Sequence, residues 1–207
     1  MANQVDKKHR SRRRRTKRPA NKGHAYVLIG MPGSGKSVLG RRVAKLLARE
    51  FVDTDNVLSE RVGMTVGEFS QSASNEQFRA EEEAAVLSVK RGNKIIATGG
   101  SVVYGKRAMN HLKQIGTIIY LDQPLWMIVR RIGDSSQRRG IILRPGQSIG
   151  DIYHERKGLY KRYADIEFHT RRLSPNQSAK MLANVIRFLE EPLSDAKGSG
   201  GEINEST

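Results

Sequence analysis

Between Gly30 and Ser37 the chain reads Gly-Met-Pro-Gly-Ser-Gly-Lys-Ser, which meets the pattern G-x-x-x-x-G-K-[ST] at every fixed position. Each residue type has a physical reason to be there. Glycines lack a Cβ, so successive backbone N–H groups can turn inward onto a phosphate. A helix opening near Lys36 adds its first-turn amides and the positive end of its dipole. A lysine at position 36 reaches the β- and γ-phosphates, and the Ser37 hydroxyl is a ligand for Mg²⁺. The expectation is bound ATP with Mg²⁺, contacted by Gly33, Ser34, Gly35, Lys36, Ser37 and Val38. A chance Gly-rich turn is the competing explanation. The apolar run before the loop and the helix-periodic run after it supply the context that the phosphate reading requires.

Further along, "FVDTD" places Asp53 and Asp55 two residues apart, on one face of an extended chain. One carboxylate can act through the metal's water shell while the other takes a proton from a substrate hydroxyl. Alternatively, Asp55 caps the helix that follows it. Arg79 precedes Glu82 by three residues on a helical stretch, so Glu82 either orients Arg79 or forms an exposed ion pair with it. Gly99 and Gly100 follow an apolar run and would line a ligand with backbone alone, or form a plain turn. Five scattered histidines have no metal-ligand spacing, and the chain has no cysteine, which excludes disulfides and thiolate metal sites.

These residues need a scaffold. "AYVLIG" reads as a buried parallel strand. Leu39, Val43, Leu46 and Leu47 then recur on one helical face. "FVDTD", "KIIATGG", "GTIIYLD" and "DIEFHT" read as further strands. Helices are predicted over "NVLSERVG", "TVGEFSQ", Asn75–Arg91 with an Asn cap, Lys106–Gln114, "LWMIVRRI", Asp151–Tyr163 and Pro175–Glu190. Strands alternating with helices predict an α/β domain with a parallel sheet covered on both faces. The folded domain is expected over residues 24–191, with a mobile, Gly/Arg/Ser-rich lid at about 133–148.

Net charge is +16, yet residues 1–23 carry ten Lys/Arg and one Asp, more than half of the excess. That arm lacks apolar residues to bury and its charges repel, so it is expected to be disordered, as is the polar tail 192–207. No apolar run approaches the ~18 residues of a membrane span, and the basic N-terminus has no apolar core of a secretory signal. The expectation is a soluble cytoplasmic monomer. A guanine-reading N-K-x-D segment is absent, which argues against a switch GTPase.

The sequence resembles the shikimate kinase family, on the phosphate loop, "FVDTD", "GMTVGEF", "FRAEEE", "ATGG", "GTIIYLD" and "ERKGLYKRYADIEFHT", in the family's order. The resemblance covers roughly Ala25–Thr170. It implies a P-loop NTPase core, three layers α/β/α, with a five-stranded parallel sheet in order 2-3-1-4-5, a helical substrate-binding region and a mobile lid. It implies ATP-dependent phosphorylation of shikimate. It puts Asp53 on the Mg²⁺ side through water, Asp55 on the substrate hydroxyls, and Arg79 and Arg156 on the substrate carboxylate. Gly99, Gly100 and Ser101 would line the substrate. A lid arginine, Arg138 or Arg139, would stabilise the transferring phosphoryl group, Arg144 lying too late in the alignment. Arg131 and the segment around Arg172 match regions that flank adenine.

Two departures bear on the acceptor. The family's substrate loop has three glycines where this chain has Gly99-Gly100-Ser101, and "RRGIILRPGQSIGDIY" differs from the usual lid and its exit. Shikimate-kinase-like homoserine kinases resemble this chain at both places, so homoserine is the alternative acceptor. A reading of another class is a nucleic-acid-associated ATPase that uses the basic arm.

Overall fold

A computed structural model gives the fold and describes residues 23–133, 141, 144, 146–170 and 173–191. Its five strands are β1 (Ala25–Ile29), β2 (Glu50–Asp53), β3 (Lys94–Ala97), β4 (Gly116–Asp122) and β5 (Ile166–His169). All neighbours pair in parallel, in the order β2-β3-β1-β4-β5. The helices are α1 (Lys36–Leu47), α2 (Thr54–Val62), α3 (Val66–Ser72), α4 (Asn75–Ser88), α5 (Lys106–Ile115), α6 (Leu125–Ile132), α7 (Ile149–Tyr163) and α8 (Pro175–Glu190).

The period-two alternation of β1 divides the core. Ala25, Val27 and Ile29 face a cluster formed with residues of α4 to α7, including Val86, Met109, Leu112, Ile128 and Tyr160. Tyr26 and Leu28 face the opposite layer, against Leu39 and Val43 of α1 and Leu182 and Ile186 of α8. Both faces of the sheet are thus covered, as a parallel sheet requires. A third, smaller cluster of Leu58, Phe78 and Ala85 joins α2 to α4.

Several boundaries differ from the sequence reading. Helix α4 is capped by Ser74 rather than Asn75. The Ser74 hydroxyl accepts from the Gln77 amide, and the Gln77 side chain accepts from the Ser74 amide, a reciprocal capping box. The helix ends at Ser88, short of the expected Arg91. Helix α7 starts at Ile149 because Ser148 and Asp151 form the same kind of box. Leu46 is 43% exposed rather than part of the packing face. The buried stripe of α1 centres on Leu39, Gly40, Val43 and Ala44, with Leu47 partly buried beside it, and at 100° per residue Leu46 falls roughly a quarter-turn away.

The topology brings the chemistry to one edge. The phosphate loop leaves the carboxyl end of β1, Asp53 ends β2, and Gly99 follows β3, with Asp53 in register with Ala97. In an open parallel sheet this is the edge where ligands sit.

Candidate active site

Gly30, Gly33 and Gly35 all have positive φ, at 146°, 78° and 98°, a region that side chains rarely enter. A Cβ on Gly30 would lie 2.9 Å from the Leu121 carbonyl oxygen. The loop therefore curls tightly out of β1 and delivers the chain into α1, whose first amide to bond back is that of Leu39, to the Gly35 oxygen. The preceding amides of that first turn have no helical carbonyl within reach. The Lys36 ammonium donates to the Gly30 and Met31 carbonyls at 2.8 and 2.9 Å, which fixes its stem across the loop. Ser34 Oγ is buried and has no hydrogen-bond partner among the described residues. Arg131 of α6 donates to the Gly33 and Ser34 carbonyls, so it braces the loop from outside. A concave row of amides, a lysine and an orphaned hydroxyl fit a polyphosphate.

At the end of β2 the cap of α2 is Asp53, which accepts from the Asp55 amide at 3.2 Å. The capping alternative considered for Asp55 thus falls to its neighbour. Asp55 stands in the first turn with its side chain on the wall of the cleft. Thr54, between them, accepts from the Gly99 amide at 3.1 Å and ties β2 to β3. Burial pushes the Asp55 carboxyl up to about 6, helped by the negative charge of Asp53 and opposed by Lys36. Glu82 is buried beside it. A Cβ on Gly99 would meet Glu82 Oε1 at 2.5 Å and Asp55 Oδ1 at 3.0 Å, so glycine is required where these carboxylates converge.

Glu82 does not serve Arg79 in the way its spacing suggests. It shares the buried face of α4 with Phe78, Ala85 and Val86, and its Oε1 accepts from the Ser101 hydroxyl at 2.6 Å. Burial pushes its carboxyl up to about 7. The Ser101 hydrogen bond opposes that rise, Asp55 adds to it, and Arg156 and Arg79 oppose it. Arg79, one residue round the helix, is exposed and lies over the Tyr104 ring, its Cζ 5.0 Å from the centroid. Arg156 is buried and lies 5.1 Å from the same centroid.

A cleft of about 800 Å³ joins these parts. The loop from Pro32 to Val38 and Arg131 form one side, and Asp55, Glu82, Gly99, Gly100, Ser101 and Arg156 the other. A pocket of about 50 Å³ adjoins it and shares Phe78, Ser101 and Arg156 with it. Its lining also includes Arg79, Tyr104, Arg144, Gln147 and Glu155. Gly100 lines the cleft between the phosphate loop and Arg156. A Cβ there would lie 2.5 Å from Pro32 Cδ and 3.2 Å from an Arg156 guanidinium nitrogen. Its carbonyl accepts from the Tyr160 hydroxyl at 2.7 Å, and Tyr160 stacks on Tyr120 of β4.

Comparison with known proteins bears on this geometry. The family model described as shikimate kinase matches residues 32–187. The chain belongs to the shikimate kinase family. It is 33% identical over 168 residues to a shikimate kinase of Vibrio cholerae, an alignment covering 79% of this chain and 94% of that one. It is 33% identical over 167 residues to threonine synthase-like 1 of Pongo abelii, covering 80% of this chain and 22% of that protein. Among solved structures, a shikimate kinase from Acinetobacter baumannii in complex with shikimate superposes with TM-score 0.72 at 25% identity, covering 84% of this chain and 97% of that one. Membership makes the protein an ATP-dependent kinase that phosphorylates a hydroxyl group.

As a member of that family, the kinase gathers most of the residues singled out in the sequence. Lys36, Ser37, Val38, Asp55, Gly99, Gly100, Ser101, Arg131 and Arg156 line the cleft, with Arg79 in the adjoining pocket. Asp53 sits just behind, as the cap. Arg144, set aside in the sequence for lying too late, lines the pocket with Arg79 and Arg156. Arg138, Arg139 and Arg172 lie outside the described residues. Tyr104, Tyr160 and Thr54 were missed. Thr54 stands between two flagged acids, so its place was available in the sequence. Tyr104 and Tyr160 carry no local pattern that separates them from core aromatics. No helix among the described residues is long and apolar enough to cross a membrane.

Proposed function

We propose that this kinase transfers the γ-phosphoryl group of ATP to a hydroxyl of a small carboxylic acid, shikimate being the acceptor. The observation that carries the reading is that two guanidiniums, Arg79 and Arg156, share a pocket adjoining the cleft that Arg156, Asp55 and the phosphate loop line together. Paired guanidiniums suit a carboxylate through charge-assisted, bidentate hydrogen bonds.

In this reading the acceptor's carboxylate is held by Arg79 and Arg156, and Gly99 and Gly100 let the ring lie against backbone. Asp55 orients the acceptor hydroxyl and takes its proton. The hydroxyl oxygen attacks the γ-phosphorus as the bond to the β-phosphate oxygen breaks, and ADP leaves. Lys36 and the loop amides, with the Ser34 hydroxyl, face the phosphate oxygens on which charge develops. Arg131 flanks the base. Ser37, Asp53 and Asp55 offer only oxygen donors, which fits a hard divalent cation such as Mg²⁺. Ser37 would ligate it directly and Asp53 through water; when bound, the ion neutralises charge on the β- and γ-phosphates.

Homoserine is the second reading. It is favoured by Ser101 at the third position of the substrate loop and by the "RPGQS" segment at the lid exit. A coupled ADP-release assay on shikimate, homoserine, gluconate, nucleoside monophosphates and no acceptor tests both. The highest kcat/KM is expected with shikimate. Preference for homoserine moves the assignment to the second reading, and turnover without any small acid ends both. Deleting residues 1–23 should leave kcat and both Michaelis constants unchanged. Salt-sensitive stimulation of ATP hydrolysis by RNA or DNA, lost on that deletion, would favour the nucleic-acid-associated ATPase instead.

A further inference from the structure

The adjoining pocket holds a side chain that neither the phosphate chemistry nor the arginine pair accounts for. We propose that Tyr104 is a positioning residue for the acceptor. Its ring backs both guanidiniums, and its hydroxyl ties Arg156 to the turn that leads into α7. The proposal rests on the reading that Arg79 and Arg156 hold the acceptor's carboxylate.

Arg79 comes from α4 and Arg156 from α7, two helices remote in sequence, and both cations converge on one small pocket. Two like charges brought together repel and retain long, flexible stems. Tyr104, half-buried at the end of a short 3-10 turn after Ser101, answers both problems. The guanidinium carbons stand 5.0 and 5.1 Å from its ring centroid, within range of the ring's negative face. A guanidinium laid on a ring keeps its N–H edge available to a planar carboxylate.

The hydroxyl then sets the angle of Arg156. It accepts from Arg156 Nε at 3.2 Å and donates to Glu155 Oε1 at 2.8 Å. With Nε engaged, the two terminal nitrogens are the ones directed to a ligand. The other Glu155 oxygen accepts from Gln147 Nε2 at 3.3 Å, and Gln147 Oε1 accepts from the Arg144 amide at 3.1 Å. The Gln147 amide in turn bonds the Arg144 carbonyl at 2.9 Å across Gly146, whose φ is 77°. A continuous hydrogen-bonded chain thus runs from the carboxylate clamp to the Arg144–Gln147 turn. That turn lies in the segment where this sequence departs from its family's usual lid exit.

The test is steady-state kinetics of the full chain at saturating ATP, with shikimate and homoserine titrated in parallel. Tyr104→Leu is expected to raise the Michaelis constant of the accepted acid about tenfold, with kcat within about twofold and the ATP constant unchanged. Tyr104→Phe keeps the ring and cuts the hydroxyl chain, and is expected to raise it about threefold. Combining Tyr104→Phe with Gln147→Ala should add little beyond the larger single effect, because both cut one chain. If Tyr104→Leu fails the thermal-melt control for folding, Tyr104→Phe and the double variant decide. An unchanged acceptor constant in the Tyr104 variants, while Arg79→Ala raises it tenfold or more, overturns the proposal and leaves the clamp standing. If Arg79→Ala and Arg156→Lys also change nothing, or neither acid is phosphorylated, the clamp itself is wrong and the proposal falls with it.

Discussion

The phosphate loop is a run of consecutive residues, Gly30 to Ser37, whereas the acceptor pocket draws on α4, the turn after β3, the Arg144–Gln147 turn and α7. The first works through backbone amides, so local chain geometry suffices to build it. The second works through side-chain orientation, which only packing between distant elements can set. They also differ in electrostatics. In the proposed function the loop offers Lys36 and a helix N-terminus to an anion, while the acceptor side buries Glu82 near Arg156 and converges Arg156 and Arg79 on one ring. A locally built site should fail by losing chemistry; a site built by packing should fail by losing affinity, selectivity or stability.

The largest effect is expected on the loop. Lys36→Met removes the cation that the proposed function sets against developing phosphoryl charge, and turnover should fall by about 10²–10³-fold or more. The same ammonium bonds the Gly30 and Met31 carbonyls, so the melting temperature should be measured alongside. Activity within tenfold of wild type in a folded variant would remove Lys36 from the chemistry.

This contrast also explains what the sequence revealed. The loop and the parallel strands were legible because apolar runs ending in glycine, with a lysine at fixed spacing, have few other physical uses; the order of the strands was implied only by the family resemblance, since a run of apolar residues does not say which strand lies beside it. Asp53 and Asp55 were legible as a pair, but which one caps α2 was not, because either could reach an N-terminal amide. The partner of Glu82 was misread because i, i+3 spacing places it near Arg79, whereas the buried stripe of α4 runs through Phe78, Glu82 and Ala85 and turns the carboxylate inward. Tyr104 was invisible for a different reason: its partners sit on α4 and α7, and nothing in the local sequence reports them. Arg144 was discounted by counting residues along the chain, but its position depends on how the chain folds back towards α7.

The acceptor side should show its cost in pH dependence. Glu82 has its folded-state carboxyl raised from 4.5 to about 7, chiefly by burial. An acid with a raised folded value contributes stability that is present below its unfolded value and lost as pH climbs through the folded one. Relative to Glu82→Gln, the wild type should therefore lose stability between about pH 4.5 and 7, by roughly 3 kcal/mol in all. Denaturant titrations of both proteins at pH 5 and pH 8 measure it. Parallel stability profiles would mean that Glu82 is solvated, and that the acceptor side is less buried than its geometry indicates.

Gly100 is where the two regions touch, so it tests whether they are separable. Gly100→Ala would drive a methyl group into Pro32 of the phosphate loop and towards Arg156. Overpacking of this kind costs about 1–3 kcal/mol. Michaelis constants for ATP and for the acceptor should both rise, by about tenfold or less, whereas Arg79→Ala should move the acceptor's alone. A rise confined to one substrate would show that the other region yields freely to the added methyl.

The smallest effect is expected at Ser101, the residue that most clearly departs from the family's glycine. Its φ and ψ of −90° and −10° are ordinary for a side-chain-bearing residue, so the backbone does not demand glycine. Its hydroxyl is given to Glu82 at 2.6 Å, so the serine is held by an acid behind the pocket wall. Ser101→Gly should remove a hydrogen bond from a buried carboxylate, at a cost of about 1–2 kcal/mol near neutral pH, and raise the Glu82 carboxyl further. The upper end of the pH window over which stability is lost should accordingly move upward, its lower end staying at the unfolded value. Acceptor kcat/KM should change by less than about fivefold, since the lost hydroxyl was engaged elsewhere. A selective gain of tenfold or more with shikimate over homoserine would instead mean that the serine side chain crowds a ring. In that case a single methylene and hydroxyl, rather than the arginine pair, would decide which acid the kinase accepts.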